Sequence, residues 1–77
     1  MKNVKVLGSG CSKCRVTANT IRATADALGV EIELEKVEDY AVIASYGVMA
    51  TPSVVVDGVV VHTGGVPNAK TVERWIR

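Results

Sequence analysis

Cys11 and Cys14 are the only two cysteines of the chain, and Ser12 and Lys13 stand between them. Two thiols at this spacing form and break a disulfide with little backbone movement when they sit where a strand turns into a helix. Val4-Lys5-Val6-Leu7-Gly8-Ser9-Gly10, just before them, reads as a strand and a tight turn, and a long helical pattern follows. The open N-terminus of a helix favours a thiolate, and Lys13 and Arg15 add positive charge beside it. The chemistry to which this points is thiol–disulfide exchange. Cys11, Cys14, Ala18, Ile21, Ala25 and Leu28 recur at steps of three and four, one continuous stripe along a helix. The stripe turns Cys14 toward a sheet and leaves Cys11 at the open end. Cys11 is then the exposed attacking thiol of lowered pKa, and Cys14 the covered resolving thiol.

Three other uses of the pair compete. A structural disulfide closing so short a loop contributes only ~2 kcal/mol in the chain-entropy picture, and a reducing compartment opposes it. A closed zinc site wants four ligands, whereas one chain offers two thiolates and His62, which leaves a zinc-bridged dimer. Two thiolates also suit a soft ion such as monovalent copper or divalent mercury, so a soft-metal-binding Cys-x-x-Cys module stands as the alternative function.

The elements that must position the cysteines are legible along the chain. Lys2 to Leu7 reads as the first strand and about Cys11 to Leu28 as the first helix, with Gly29 as its stop. Val30-Glu31-Ile32-Glu33-Leu34-Glu35 alternates strictly, the pattern of a strand with one buried and one wet face, and its glutamates would protect an edge strand. Asp39 can cap a short helix that runs through Tyr46 and ends at Gly47. Ser53-Val54-Val55-Val56 and Val59-Val60-Val61-His62 flank Asp57-Gly58, a strong hairpin signal. A last helix from about Asn68 to Arg77 would bury Ala69, Val72, Trp75 and Ile76. The order β-α-β-α-β-β-α implies an α/β fold. Its four-stranded mixed sheet would hold a parallel first pair, joined by a right-handed crossover, and an antiparallel closing hairpin, with helices on both faces.

Composition narrows the class. Seventy-seven residues, of which 48% are apolar, fit a single domain over 1–77 with a modest core. A net charge of +1 argues against a dedicated nucleic-acid surface. No apolar run approaches the ~20 residues needed to cross a bilayer, and the first residues lack a signal-peptide core, so the expected location is cytoplasmic. Residues 1–25 hold Lys2, Lys5, Lys13, Arg15 and Arg22 and no acid, so the cysteines lie in the basic part of a nearly neutral chain. His62, at a strand end, reads as a solvated residue. Tyr40 and Tyr46 read as packing groups, Trp75 as core, and the Glu31, Glu33 and Glu35 row as a wet strand face.

Thr51-Pro52 directly before the third strand is, on physics alone, a proline opening a strand. Together, however, Gly-Ser-Gly-Cys-Ser-Lys-Cys at 8–14, Val-Met-Ala-Thr-Pro-Ser-Val-Val-Val-Asp-Gly at 48–58 and Gly-Gly-Val-Pro at 64–67 resemble the thioredoxin superfamily. More narrowly they resemble its small glutaredoxin-like thioredoxins of archaea and bacteria, the redox-active disulfide proteins. The resemblance implies Cys11 as nucleophile, Cys14 as resolving cysteine and Lys13 as a tuning charge. It also implies a cis peptide bond at Pro52, with Thr51 and Pro52 receiving substrate backbone and Gly64 and Gly65 forming the turn beside the site. No cofactor is expected. Expected partners are disulfide-containing proteins and an electron donor. Because Val66-Pro67-Asn68 follow the glycine pair where glutaredoxins often place acids, that donor is expected to be thioredoxin-reductase-like, with neither nucleic acid nor membrane as partner.

Overall fold

The computed structural model describes residues 1–8 and 12–77; the expected nucleophile Cys11 lies, with Ser9 and Gly10, outside the described residues. Four strands and three helices follow in the order β1 (Lys2–Leu7), α1 (Ser12–Leu28), β2 (Ile32–Val37), α2 (Tyr40–Ser45), β3 (Ser53–Val56), β4 (Val59–Thr63) and α3 (Ala69–Ile76). They form one sheet in the order β2-β1-β3-β4. β1 and β2 pair in parallel, Lys2 opposite Ile32 and Leu7 opposite Val37, whereas β3 runs antiparallel to both β1 and β4. This is the α/β mixed sheet that the element order called for.

Alternation along β1 and β3 divides the core. Val4, Val6, Val54 and Val56 face α1 and α3, and pack with Cys14, Ala18, Ile21, Ala25, Val72 and Ile76. Leu7 and Val55 face the other way and pack with Ile43 of α2, with Val37, Tyr46, Val48 and Val60 around them. β3 is buried at every position because it is central and covered on both faces.

Local chemistry accounts for the boundaries. β2 begins two residues later than the alternation suggests, since Val30 N–H is spent on Ala25 O in the turn that closes α1. It is an edge strand, and Glu31, Glu33 and Glu35 are exposed on it or beside it. Asp39 caps α2, accepting from Ala41 N–H at 2.8 Å. Asp57 (φ 49°) and Gly58 (φ 82°) both occupy the left-handed region that a two-residue hairpin turn requires. Asp57 also accepts from Asn3 N–H at 2.9 Å, which ties the turn to β1.

Two expectations about packing need correction. Ala69 is exposed, because it stands on the first turn of α3, before that helix reaches the sheet; Val72 and Ile76 carry the buried face and Trp75 is half-buried. Tyr40 is 78% exposed, since α2 is only six residues long and meets the sheet through Ile43 alone, while Tyr46 packs as expected. Thr17 and Thr24 are buried in the α1 stripe although polar; each hydroxyl donates to the carbonyl four residues back, Lys13 O at 2.8 Å and Thr20 O at 2.7 Å.

Both ends of α3 are held by side chains. Asn68 Oδ1 accepts from Thr71 N–H at 2.9 Å, and the Lys2 ammonium donates to Trp75 O at 2.7 Å and Arg77 O at 3.0 Å at the carbonyl end. Asn68→Ala is expected to lower stability by about 1 kcal/mol, read as a reduced urea midpoint with unchanged slope.

Candidate active site

The first turn of α1 places Cys14 on the inward stripe, and its side chain is buried. Its sulfur lies against the backbone of Gly8, just beyond β1: a Cβ added to Gly8 would overlap Cys14 Sγ, and would lie 3.4 Å from Thr51 Cβ. Gly8 is therefore the point where the end of β1, the start of α1 and the loop before β3 converge. It cannot retreat, because its own N–H donates to Val37 O at 2.9 Å. Lys13, on the same first turn as Cys14, is exposed.

The loop from Ala50 to Ser53 forms the facing side. The Thr51–Pro52 peptide bond is cis. Pro52 is buried and Thr51 exposed. The Ser53 hydroxyl, itself buried, donates back to Ala50 O at 2.6 Å and fixes the loop from behind. Gly64 N–H donates to Pro52 O at 2.8 Å, so the turn after β4 is joined directly to this loop. Gly64 and Gly65 both have φ of +72°, the left-handed region, and a Cβ on Gly64 would stand 3.4 Å from Ala50 Cβ.

Of the residues singled out in the sequence, Cys14, Thr51, Pro52 and Gly64 thus come together at one end of the sheet, with Gly65 next in the turn and Lys13 next to Cys14 in the chain. Three further residues escaped sequence reasoning. Gly8 was legible only as part of a glycine-rich turn, Ser53 only as a strand residue, and His62 as a solvated one. His62 is instead half-buried: its Nε2 lies 3.0 Å from Gly65 O, and its ring is 5.6 Å from that of Trp75 at a tilt of 44°. No pattern in sequence pairs a strand-end histidine with a tryptophan thirteen residues on. The Lys5–Glu35 ion pair at 3.8 Å lies across β1 and β2 and takes no part in the site. Among the described residues no group of three or more histidine, cysteine and acidic side chains is arranged to hold a metal ion. No helix among them is long and apolar enough to cross a membrane.

Comparison with known proteins gives the family. The family described as "Thioredoxin domain" matches residues 2–77. A protein named thioredoxin from Methanocaldococcus jannaschii is 31% identical over 74 residues, covering 96% of this chain and 85% of the relative. Another of the same name from Methanothermobacter thermautotrophicus is 27% identical over 74 residues and covers 96% of each. With the family matched over nearly its whole length, and a mixed sheet that brings Cys14 to the Thr51–Pro52 loop, the chain belongs to the thioredoxin domain family.

Proposed function

We propose that this protein is a thiol–disulfide oxidoreductase that reduces disulfides in other proteins through a Cys11/Cys14 couple. The observation that carries the reading is the covered Cys14 sulfur, packed against Gly8 with Thr51 alongside. One thiol of a Cys-x-x-Cys pair is shielded beside a loop that offers backbone groups to an extended peptide. In this reading the Cys11 thiolate attacks one sulfur of the target disulfide, whose other sulfur leaves as a thiolate and is protonated from water. The Cys14 thiolate then attacks Cys11 in the mixed disulfide and releases the second target thiol. Two electrons pass to the target, and the chain keeps a Cys11–Cys14 disulfide that a dithiol protein of the thioredoxin-reductase kind reduces again. Lys13 lends positive charge to the reacting thiolate, Thr51 and Pro52 take the substrate backbone, and Gly64 and Gly65 leave room for it. The chemistry needs no bound cofactor, and it suits a reducing compartment such as the cytoplasm.

The soft-metal alternative is weaker. Modules of that kind have no helix after their closing strand, whereas here α3 follows β4 and packs Val72 and Ile76 on the core. They also have no use for a Thr51–Pro52 loop beside the buried Cys14.

Alkylation with mass detection tests the reading. The dithiol-treated protein is expected to take two alkyl groups and the oxidised monomer none. Two labels on the oxidised protein, or crosslinks only between chains, would remove the proposal.

A further inference from the structure

We infer that His62 is a positioning residue that holds the Gly64–Gly65 turn, and through it the Thr51–Pro52 loop, in the form that receives a peptide substrate. The inference rests on the oxidoreductase reading only for its functional consequence; the strut itself rests on geometry. Two adjacent glycines in the left-handed region form the most permissive backbone a turn can have, and such a turn keeps one shape only where something outside it fixes it. Two hydrogen bonds do so here. On one side Gly64 N–H donates to Pro52 O at 2.8 Å. On the other, Gly65 O lies 3.0 Å from His62 Nε2, and a carbonyl partner requires that nitrogen to carry the proton and donate. The imidazole is in turn set against Trp75 of α3, at 5.6 Å and 44°, and Trp75 packs on the main core. An unbroken line therefore runs from the core through Trp75 and His62 to Gly65, then through Gly64 to Pro52 O. It ends on the loop whose backbone a peptide would pair with. A loosened turn is expected to weaken peptide engagement while leaving thiol chemistry on a small disulfide intact.

The test compares His62→Leu with His62→Gln in the full-length protein. Leucine keeps bulk against Trp75 and removes the donor; glutamine keeps an N–H donor. Amide hydrogen exchange of Gly64 reads the strut directly, with Val55 in the central strand as reference. A neutral hydrogen bond of this kind predicts roughly fivefold faster exchange at Gly64 in His62→Leu, with Val55 unchanged and His62→Gln close to wild type. The kcat/KM for a disulfide-bonded peptide should fall by about the same factor in His62→Leu, mainly through KM, while turnover of bis(2-hydroxyethyl) disulfide stays within about twofold. Unchanged Gly64 exchange in His62→Leu, equal acceleration at Val55, or equal effects of leucine and glutamine would overturn the inference. A wild-type protein inactive on both disulfides would defeat the oxidoreductase reading instead, and the exchange measurement would still decide the strut.

Discussion

Cys14→Ser is expected to convert a turning-over reductant into a trap. Cys11 still attacks, but no second thiol resolves the mixed disulfide, so target proteins stay bound to Cys11 and separate only on addition of dithiol. Steady-state turnover should fall by about a thousandfold, equivalent to ~4 kcal/mol of lost transition-state stabilisation. Cys11→Ser should lose as much turnover and trap nothing. The asymmetry follows from burial: Cys14 is covered by the sheet end, Gly8 and the Thr51 loop, and a bulky target disulfide cannot reach it first. Non-reducing gel electrophoresis with a disulfide-bonded target reads the outcome. Trapping by Cys11→Ser and not by Cys14→Ser would reverse the order of attack.

Gly8→Ala is expected to cost about 1–3 kcal/mol of stability, the range for forcing an extra methyl into a packed site, and more than tenfold in turnover. The added Cβ would overlap Cys14 Sγ, with Thr51 on its other side and the backbone pinned by the Val37 bond. Moving the sulfur relieves the clash but misplaces the resolving thiol. A double-mutant cycle isolates this cause. In a Cys14→Ala background the overlap is gone, and Gly8→Ala should then cost only the strain of an alanine at φ +156°, so the coupling between the two sites measures the share of the penalty that the sulfur causes. Urea unfolding of the four proteins measures it; additive effects would show that Gly8 matters for some reason other than the sulfur.

The pattern of side chains made much of this fold readable because the sheet leaves clear periods behind. β1 alternates as far as Val6, α1 buries one stripe, Asp57-Gly58 admits few geometries, and Asp39 and Asn68 are good caps placed where helices must begin. The cysteine motif and Thr51-Pro52 marked the site for the same reason: each needs a special residue. Elsewhere the site depends on what lies behind those residues. Gly8 is one glycine among seven until the fold brings Cys14 Sγ against it. His62 looks solvated until β4 and α3 place it between Trp75 and Gly65. Thr17 and Thr24 can enter the core because their hydroxyls are satisfied within their own helix, which no hydrophobic count registers. Ala69 errs the opposite way, an apolar residue on the right stripe but one turn too early to touch the sheet.

The two margins of the sheet have unequal valence. β2 carries the exposed Glu33, Glu35 and Lys36, with Glu31 exposed just before it, so a second strand arriving at that margin meets a row of charge. β4 offers Val59, Val60 and Val61 with no charged residue from Val59 to Thr63, and Val59 and Val61 are exposed. Charge on one margin only makes the sheet a unit with a single sticky end. Of the two margins, β2 is the one that charge defends against an added strand.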